Sequence, residues 1–458
     1  GGRPRPGIAH LGLGAFHRAH QLWYTALADD EGRWGVVAFT GRSPRAASTI
    51  QEQDGYYTVV ERGSDGETYR VLQHLIAAHD GADLETWGAL LEQDDVAVVT
   101  MTVTEAGYHL DAAGRLDADD PRVAADLTAW AEHSREDAAP PALTTAVARL
   151  AYGLDRRRRA GATGIAVVPC DNIPDNGEVT RDVVTAFAER ADAQLAAWIA
   201  TNVSFVSTVV DRITPAVTEE DLAAVGAATG YRDEAAVITE PFSEWILAGD
   251  FPAGRPRWED AGARFVADVG PFERRKLWLL NGAHTLLATM GRRAGHETVA
   301  QAIGDPRMRL FVEEYWDAVG EVLIDAGLDL PQYRRALLER FGNARIEHRL
   351  DQIAAQTVTK LRVRTVPVIT AAAAAGEIPG ALLRPLAGWV RGVIVGSVDA
   401  DAHDTAVQRA RDEDDPVAAL LTVIDSDLAD RGDLLARVRS LVDDIAESPI
   451  VRETEEQK

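Results

Sequence analysis

Through the first 265 residues, short apolar runs alternate with helical periods, and this alternation restricts the fold more than any other feature. Runs over 8–13, 34–39, 96–103, 164–170 and 203–210 read as buried strands, and 56–61 and 69–75 as more openly alternating ones. Helical periods lie between them over 16–28, from Pro44 onward, over 121–133, on to Arg159, and over 178–200. Parallel strands need a long crossover, usually a helix, and strands buried on both faces read as unbroken apolar runs. The expected class is therefore α/β, with a mainly parallel sheet covered on both faces. Beyond about residue 265 strand patterns nearly vanish. Helical periods run over 272–290, 296–303, 306–326, 331–341, 346–375, 380–393, 406–411 and 416–445. At 458 residues the chain exceeds one core. Two domains follow, 1–265 and a mostly helical 266–458, with the boundary within 262–270.

The charge balance excludes some partners. Forty-seven basic against 72 acidic residues leave a formal charge of −25, the opposite of what a nucleic acid attracts. The run Arg156-Arg157-Arg158-Arg159 closes a predicted helix, where cations suit the dipole, and reads as a solvated terminus. Cys170 is the only cysteine, and no His-Glu-x-x-His segment occurs, so neither a disulfide nor a metal site is expected. No apolar run is long enough to span a bilayer and no signal pattern opens the chain. A cytoplasmic protein, monomeric or homodimeric, is the expectation.

The first predicted strand runs straight into Gly12-Leu13-Gly14-Ala15-Phe16-His17-Arg18. Gly12 permits a tight turn, and Gly14 lets backbone amides approach a pyrophosphate at the start of the following helix. That placement makes the N-terminal domain Rossmann-like. His17 stands where a third glycine is usual. No carboxylate follows the second strand; Arg42 and Ser43 stand there instead. Arg42 either meets a 2′-phosphate, which selects NADP, or stacks on the adenine or lies in solvent, which leaves NAD.

Polar residues gather after later strands: Thr104-Glu105-Ala106-Gly107-Tyr108, Asp171-Asn172 through Asn176-Gly177, and Asp211-Arg212-Ile213-Thr214-Pro215. In open parallel sheets ligands bind beyond the carboxyl ends of strands. Only three basic residues are lysines, Lys276, Lys360 and Lys458, and lysine, unlike arginine, can serve as a neutral amine. Asn281 and His284 follow Lys276 at offsets of five and eight, within an arc of about 140° on an α-helix. Oxidising a secondary alcohol needs a base for the hydroxyl proton and donors for the developing alkoxide. A desolvated Lys276 beside Arg274 and Arg275 suits the first task, and Asn172 and Asn281 suit the second.

These segments resemble the mannitol dehydrogenase family, the long-chain polyol dehydrogenases that include fructuronate and tagaturonate reductases. The resemblance runs through Gly12-x-Gly14-x-Phe16-His17-Arg18-Ala19-His20, Gln53-Asp54-Gly55-x-Tyr57-Thr58, Thr102-Val103-Thr104-Glu105-x-Gly107-Tyr108 and Cys170-Asp171-Asn172. It continues through Asp211-Arg212-Ile213-Thr214-Pro215, Glu240-Pro241-Phe242 and Phe251-Pro252-Ala253-Gly254-Arg255-Pro256 to Lys276, Asn281 and His284. It implies metal-independent hydride transfer between a nicotinamide and C2 of a polyol or ketose. Lys276 becomes the general base, Asn172 and Asn281 the oxyanion donors, and Asp211 and His284 contacts to substrate hydroxyls. Lys360 falls on the family's second, substrate-binding lysine. The Gly12, Gly14, Phe16, His17, Arg42, Thr104 and Glu105 positions become the nucleotide site. Before Lys360 the family often reads Asp-Gly-Ser, whereas this chain has Gln356-Thr357-Val358-Thr359, so the substrate stays open between a polyol and a hexuronate. Arg362 and Arg364 can pair with a hexuronate carboxylate or serve structural ion pairs. A nucleotide-binding sensor without turnover is the reading from another class.

Overall fold

The computed structural model describes residues 4–29, 31–133, 139–396 and 405–447. The chain separates into two compact units, Gly1–Gly270 and Pro271–Lys458.

In the first unit six parallel strands form the central sheet: β1 (Pro6–Leu11), β2 (Gly35–Phe39), β3 (Leu75–His79), β4 (Val98–Met101), β5 (Ile165–Pro169) and β6 (Val203–Phe205). They lie in the order β3-β2-β1-β4-β5-β6, the doubly wound dinucleotide-binding arrangement. Apolar side chains fill both faces. Leu11, Phe39, Val99 and Val167 pack on one side, and Ile8, Val36, Val98 and Val168 on the other. Two three-stranded sheets flank this one. One contains the hairpin Tyr57–Gly63 and Gly66–Leu72 with Val237–Thr239, and the other contains Ser207–Asp211, Glu244–Ala248 and Arg264–Phe265.

Several expected elements are interrupted where a tertiary contact captures one residue. The helix expected over 16–28 is two, Ala15–Ala19 and Gln21–Ala28. His20 leaves helical geometry at φ −121° and ψ −84°, with its Nε2 3.0 Å from Glu244 O. The helix over 178–200 divides at Asp192, whose carboxylate caps the second half through Gln194 N and pairs with Arg158. The strand over 203–210 changes sheet at Val206. Asn176 draws it away, its Oδ1 accepting from Thr208 N at 2.8 Å and its Nδ2 donating to Thr208 O at 3.1 Å. The segment 69–75 is likewise the end of one strand and the start of β3.

The arginine run is not a solvated terminus. Arg157 is fully buried, donating to Leu91 O, Gln93 O and Thr163 O, and so stitches the end of helix Ala146–Ala160 to two loops. Arg158 and Arg159 both pair with Asp155, and Arg156 pairs with Glu92.

The second unit is helical among its described residues. The helix expected over 272–290 is Gly270–Arg275, a π-turn at Lys276–Asn281, then Gly282–Gly291. The stretch 346–375 holds three helices, Leu350–Ala354, Thr357–Arg364 and Val366–Ala375. Gln356 at φ 55° breaks the first pair and Thr365 the second. The stretch 416–445 holds Pro416–Ile424, Ser426–Ala429 and Gly432–Glu447. No helix among the described residues is long and apolar enough to cross a membrane.

Candidate active site

In the first unit the site residues stand at the carboxyl ends of neighbouring strands. β1 ends in Gly12, at φ 103°, where an added Cβ would lie 2.2 Å from Thr102 O. Only glycine fits. The Gly12 and Leu13 amides both donate to Phe39 O at 2.9 Å, which folds the loop over the end of β2. Thr102 Oγ1 donates to Gly12 O at 2.7 Å and lies 3.2 Å from His10 Nε2, while His10 Nδ1 lies 2.9 Å from Thr100 Oγ1. A buried chain of polar contacts therefore ties the glycine loop to β4.

The helix that follows is only Ala15–Ala19, and no side chain caps it. The N–H groups of its first turn have no intrahelical acceptor. An added Cβ on Gly14 would meet only Gly12 O, at 3.6 Å, so the approach to these amides is open. First-turn amides without an intrahelical acceptor, behind an open glycine at the point where the strand order reverses, fit a dinucleotide pyrophosphate.

Phe16 is half-buried with its ring stacked near His20 at 5.0 Å. The His17 side chain is buried beneath the loop. It is 1% exposed, stacked on His10 with ring centroids 3.3 Å apart, and neither ring nitrogen has a partner among the described residues. Only its backbone amide remains to meet a nucleotide. Arg42 is exposed just past β2. Thr104 and Glu105, also exposed, open the short turn after β4, and Tyr108 at its end donates to Asp171 Oδ2. Asp171 Oδ1 also accepts from Ile173 N at 3.0 Å, which holds the loop so that its neighbour Asn172 is exposed. Burial raises the Asp171 carboxyl above its ordinary range. Asp211 is buried, opposite Glu244 in the antiparallel pair. His10 carries no signal in sequence, and although Tyr108, Asp171 and Thr102 fall in segments noted there, their contacts depend on residues far along the chain.

In the second unit Lys276, Asn281 and His284 share one segment. Lys276 opens the π-turn, Asn281 closes it, and the Gly282 amide donates to Leu277 O across five residues. Gly282 does not break the helix; its φ is −63°. The wider turn matters for geometry. In the wider i→i+5 turn position i+5 falls closer around the axis to position i than the roughly 140° that separates them on an α-helix. Asn281 therefore lies nearer to Lys276 around the helix axis than α-helical spacing would place it. His284 is buried with Nε2 lacking a partner among the described residues. Its ring centroid is 4.7 Å from His348 and 4.8 Å from Phe341. Burial first, then the charges of His348, Arg340, Arg364 and Lys360, hold His284 well below the usual imidazole range. Arg364 Nη1 reaches Asn281 O at 3.4 Å and Thr285 Oγ1 at 3.3 Å. Lys360 Nζ donates to Ile353 O at 2.7 Å. Arg362 points elsewhere, donating to Val423 O and Ile424 O. Arg275 is buried, donating to Leu328 O with its guanidinium over the Tyr333 ring, and Arg274 is exposed.

The strand order and glycine loop define the first unit as a dinucleotide-binding domain. The chain belongs to the mannitol dehydrogenase family: residues 6–260 match the mannitol dehydrogenase Rossmann domain and residues 268–446 the mannitol dehydrogenase C-terminal domain. It is 39% identical to the uncharacterized oxidoreductase YdfI of Escherichia coli (strain K12), over 95% of this chain and 87% of that one. It is 36% identical to D-mannonate oxidoreductase of the same organism, over 84% and 79%. The Pseudomonas fluorescens mannitol 2-dehydrogenase ternary complex with NAD and D-mannitol superposes with a TM-score of 0.82 at 29% identity, covering 98% of this chain and 93% of that one.

Two predictions follow from the glycine loop and the histidines beneath it. Gly12→Ala should abolish nucleotide binding measured by NADH fluorescence, since the methyl group collides with Thr102 O; binding within about twofold of wild type would contradict the fit. Burial pushes His10 down to about 3 from 6.5. The unfolded chain thus takes up a proton near pH 6.5 that the folded chain refuses until about pH 3, so stability is full above that window and falls as pH drops through it. His10 alone contributes up to about 1.4 kcal/mol per pH unit. Urea unfolding should show a loss of about 2 kcal/mol or more between pH near 7 and pH near 5, the buried His17 and His284 adding in the same direction; equal stability would contradict it.

Proposed function

We propose that this chain interconverts an open-chain polyol and its 2-ketose, of the mannitol and fructose type, with Lys276 as the general base. The observation that carries this reading is the π-turn, which brings the Lys276 and Asn281 positions closer around the helix axis, with His284, buried and its Nε2 without a partner among the described residues, one turn further on. That is the pairing an alcohol oxidation requires, a proton acceptor beside a donor for the oxygen left behind.

NAD or NADP is the hydride carrier: when bound, the nicotinamide takes up a hydride in oxidation and returns it in reduction. The Gly12 and Gly14 loop, with the amides through Phe16 and His17, receives the pyrophosphate, and Thr104 and Glu105 line the following strand end. Arg42, exposed where no carboxylate stands, can meet a 2′-phosphate, so NADP is open beside NAD. Lys276 takes the hydroxyl proton. Asn172 and Asn281 donate to the developing alkoxide without adding a full charge. Asp211 and His284 bind neighbouring hydroxyls, the neutral imidazole being the form that burial favours. Lys360 and Arg364 bind the remainder of the substrate.

A second reading has one specific observation in its favour. Arg340, Arg364 and Lys360 all bear on His284, a local cationic field suited to a carboxylate terminus. On that reading the substrate is a hexuronate, with fructuronate and mannonate as the pair. A panel of polyols, ketoses and hexuronates crossed with NAD and NADP separates the two, and turnover of none defeats both.

Lys276→Met should abolish turnover while NADH binding persists; near-normal rates would remove the base from the account. Asn172→Ala should slow the chemical step by about a hundredfold or more, as loss of an oxyanion donor does. An effect on substrate KM alone would argue for a binding role instead.

A further inference from the structure

We propose that Trp316 is the positioning residue of the site, acting by holding open the π-turn that carries Lys276 and Asn281; this rests on the functional reading above. A π-turn is an unfavourable excursion within an α-helix and needs outside support. Nothing in Lys276-Leu277-Trp278-Leu279-Leu280-Asn281 favours it locally, since leucine, lysine and tryptophan all accept ordinary helix.

The support comes from one neighbouring helix, Pro306–Val322. Trp316, 1% exposed, donates from its indole Nε1 to Leu279 O at 2.9 Å. Gly282 N also approaches that carbonyl, at i+3. An indole N–H buried this deeply needs an acceptor, and a displaced carbonyl needs a donor, so each stabilises the other's position. The residue before it, Tyr315, packs against the far end of the turn. A Cβ on Gly282 would lie 2.2 Å from the Tyr315 hydroxyl and 2.9 Å from Cζ, so only glycine lets the segment sit this close. The Tyr315 hydroxyl has no partner among the described residues, which makes its contribution one of shape. On the opposite side, Thr285 Oγ1 donates to Asn281 O at 3.0 Å, alongside Arg364. If the turn relaxed to an α-helix, Asn281 would swing back to about 140° from Lys276, separating amine and carboxamide.

The test is Trp316→Phe, which keeps an aromatic ring and removes the donor. Turnover should fall about tenfold to a hundredfold, as misplacement of a reacting group does. The affinity for NADH should stay within about twofold, and the deuterium isotope effect on kcat from C2-deuterated substrate should rise as the hydride step becomes limiting. Amide exchange in a peptide spanning 276–282 should quicken by about tenfold or more, a reading that needs no turnover. Wild-type exchange and an unchanged isotope effect would overturn the inference. If Lys276→Met is inactive and Trp316→Phe behaves as wild type, only the positioning role falls. If Lys276→Met stays active, the functional reading falls and amide exchange alone decides the turn. Should Trp316→Phe not fold, Gly282→Ala, which presses on the turn from Tyr315, must give the same exchange and isotope changes; neither changing would also overturn it.

Discussion

The parallel pairing of β1 between β2 and β4 is the constraint from which the first unit follows. Ile8 to Leu11 lie in register with Val36 to Phe39 on one side and Val98 to Met101 on the other. Because the strands run the same way, their carboxyl ends and the loops after them share one edge of the sheet. The chain must leave β1 at the place where the strand order reverses. Thr102 O stands so near that only glycine can make the exit, and Thr102 Oγ1 then fastens the Gly12 carbonyl. Arg42, Thr104, Glu105 and Asn172 reach this edge because they follow strands, not because they are near one another in sequence.

The second unit solves a different problem. On the proposed reading a neutral base and an amide donor need a fixed separation, and an α-helix offers offsets of three and four for that purpose. Here the offset is five, and the helix widens by one residue to accommodate it. The widening is supported by the helix behind it, from which Trp316 supplies a hydrogen bond and Tyr315 a close-packed ring. The cations around His284 come from two further segments, around Arg340 and along Thr357–Arg364. The charge of each bears on the imidazole, which burial already disfavours as a cation.

Much of this was legible in the residues. Buried parallel strands announce themselves as Val, Ile and Ala runs, and the glycine loop is marked by its place after the first of them. Lys276 stood out because lysine is so scarce in the chain. What was not legible depended on distant partners. His20, Asp192 and Gln356 break helices whose periodicity runs on unaltered, since the capture of His20 by Glu244 O, for instance, spans more than half of the first unit. Arg157 looked like one more cation at a helix end, yet its three carbonyl acceptors, at a helix end and in two loops, lie on either side of it in sequence. The His17 ring lies flat against His10, whose own partner Thr100 stands 90 residues further along the chain. The π-turn had no local mark at all, because the side chains that impose it lie more than thirty residues further on.

The central claim is that a neutral amine at position 276 accepts the alcohol proton, and it can be separated from every structural effect by chemical rescue. Lys276→Ala leaves room for a small primary amine supplied from solution. The account predicts that ethylamine and its analogues restore polyol oxidation by the inactive variant, in proportion to the concentration of the free amine and more strongly for the more basic members. Activity of Lys276→Ala that is already substantial without amine, or restoration that ignores amine basicity, would contradict it.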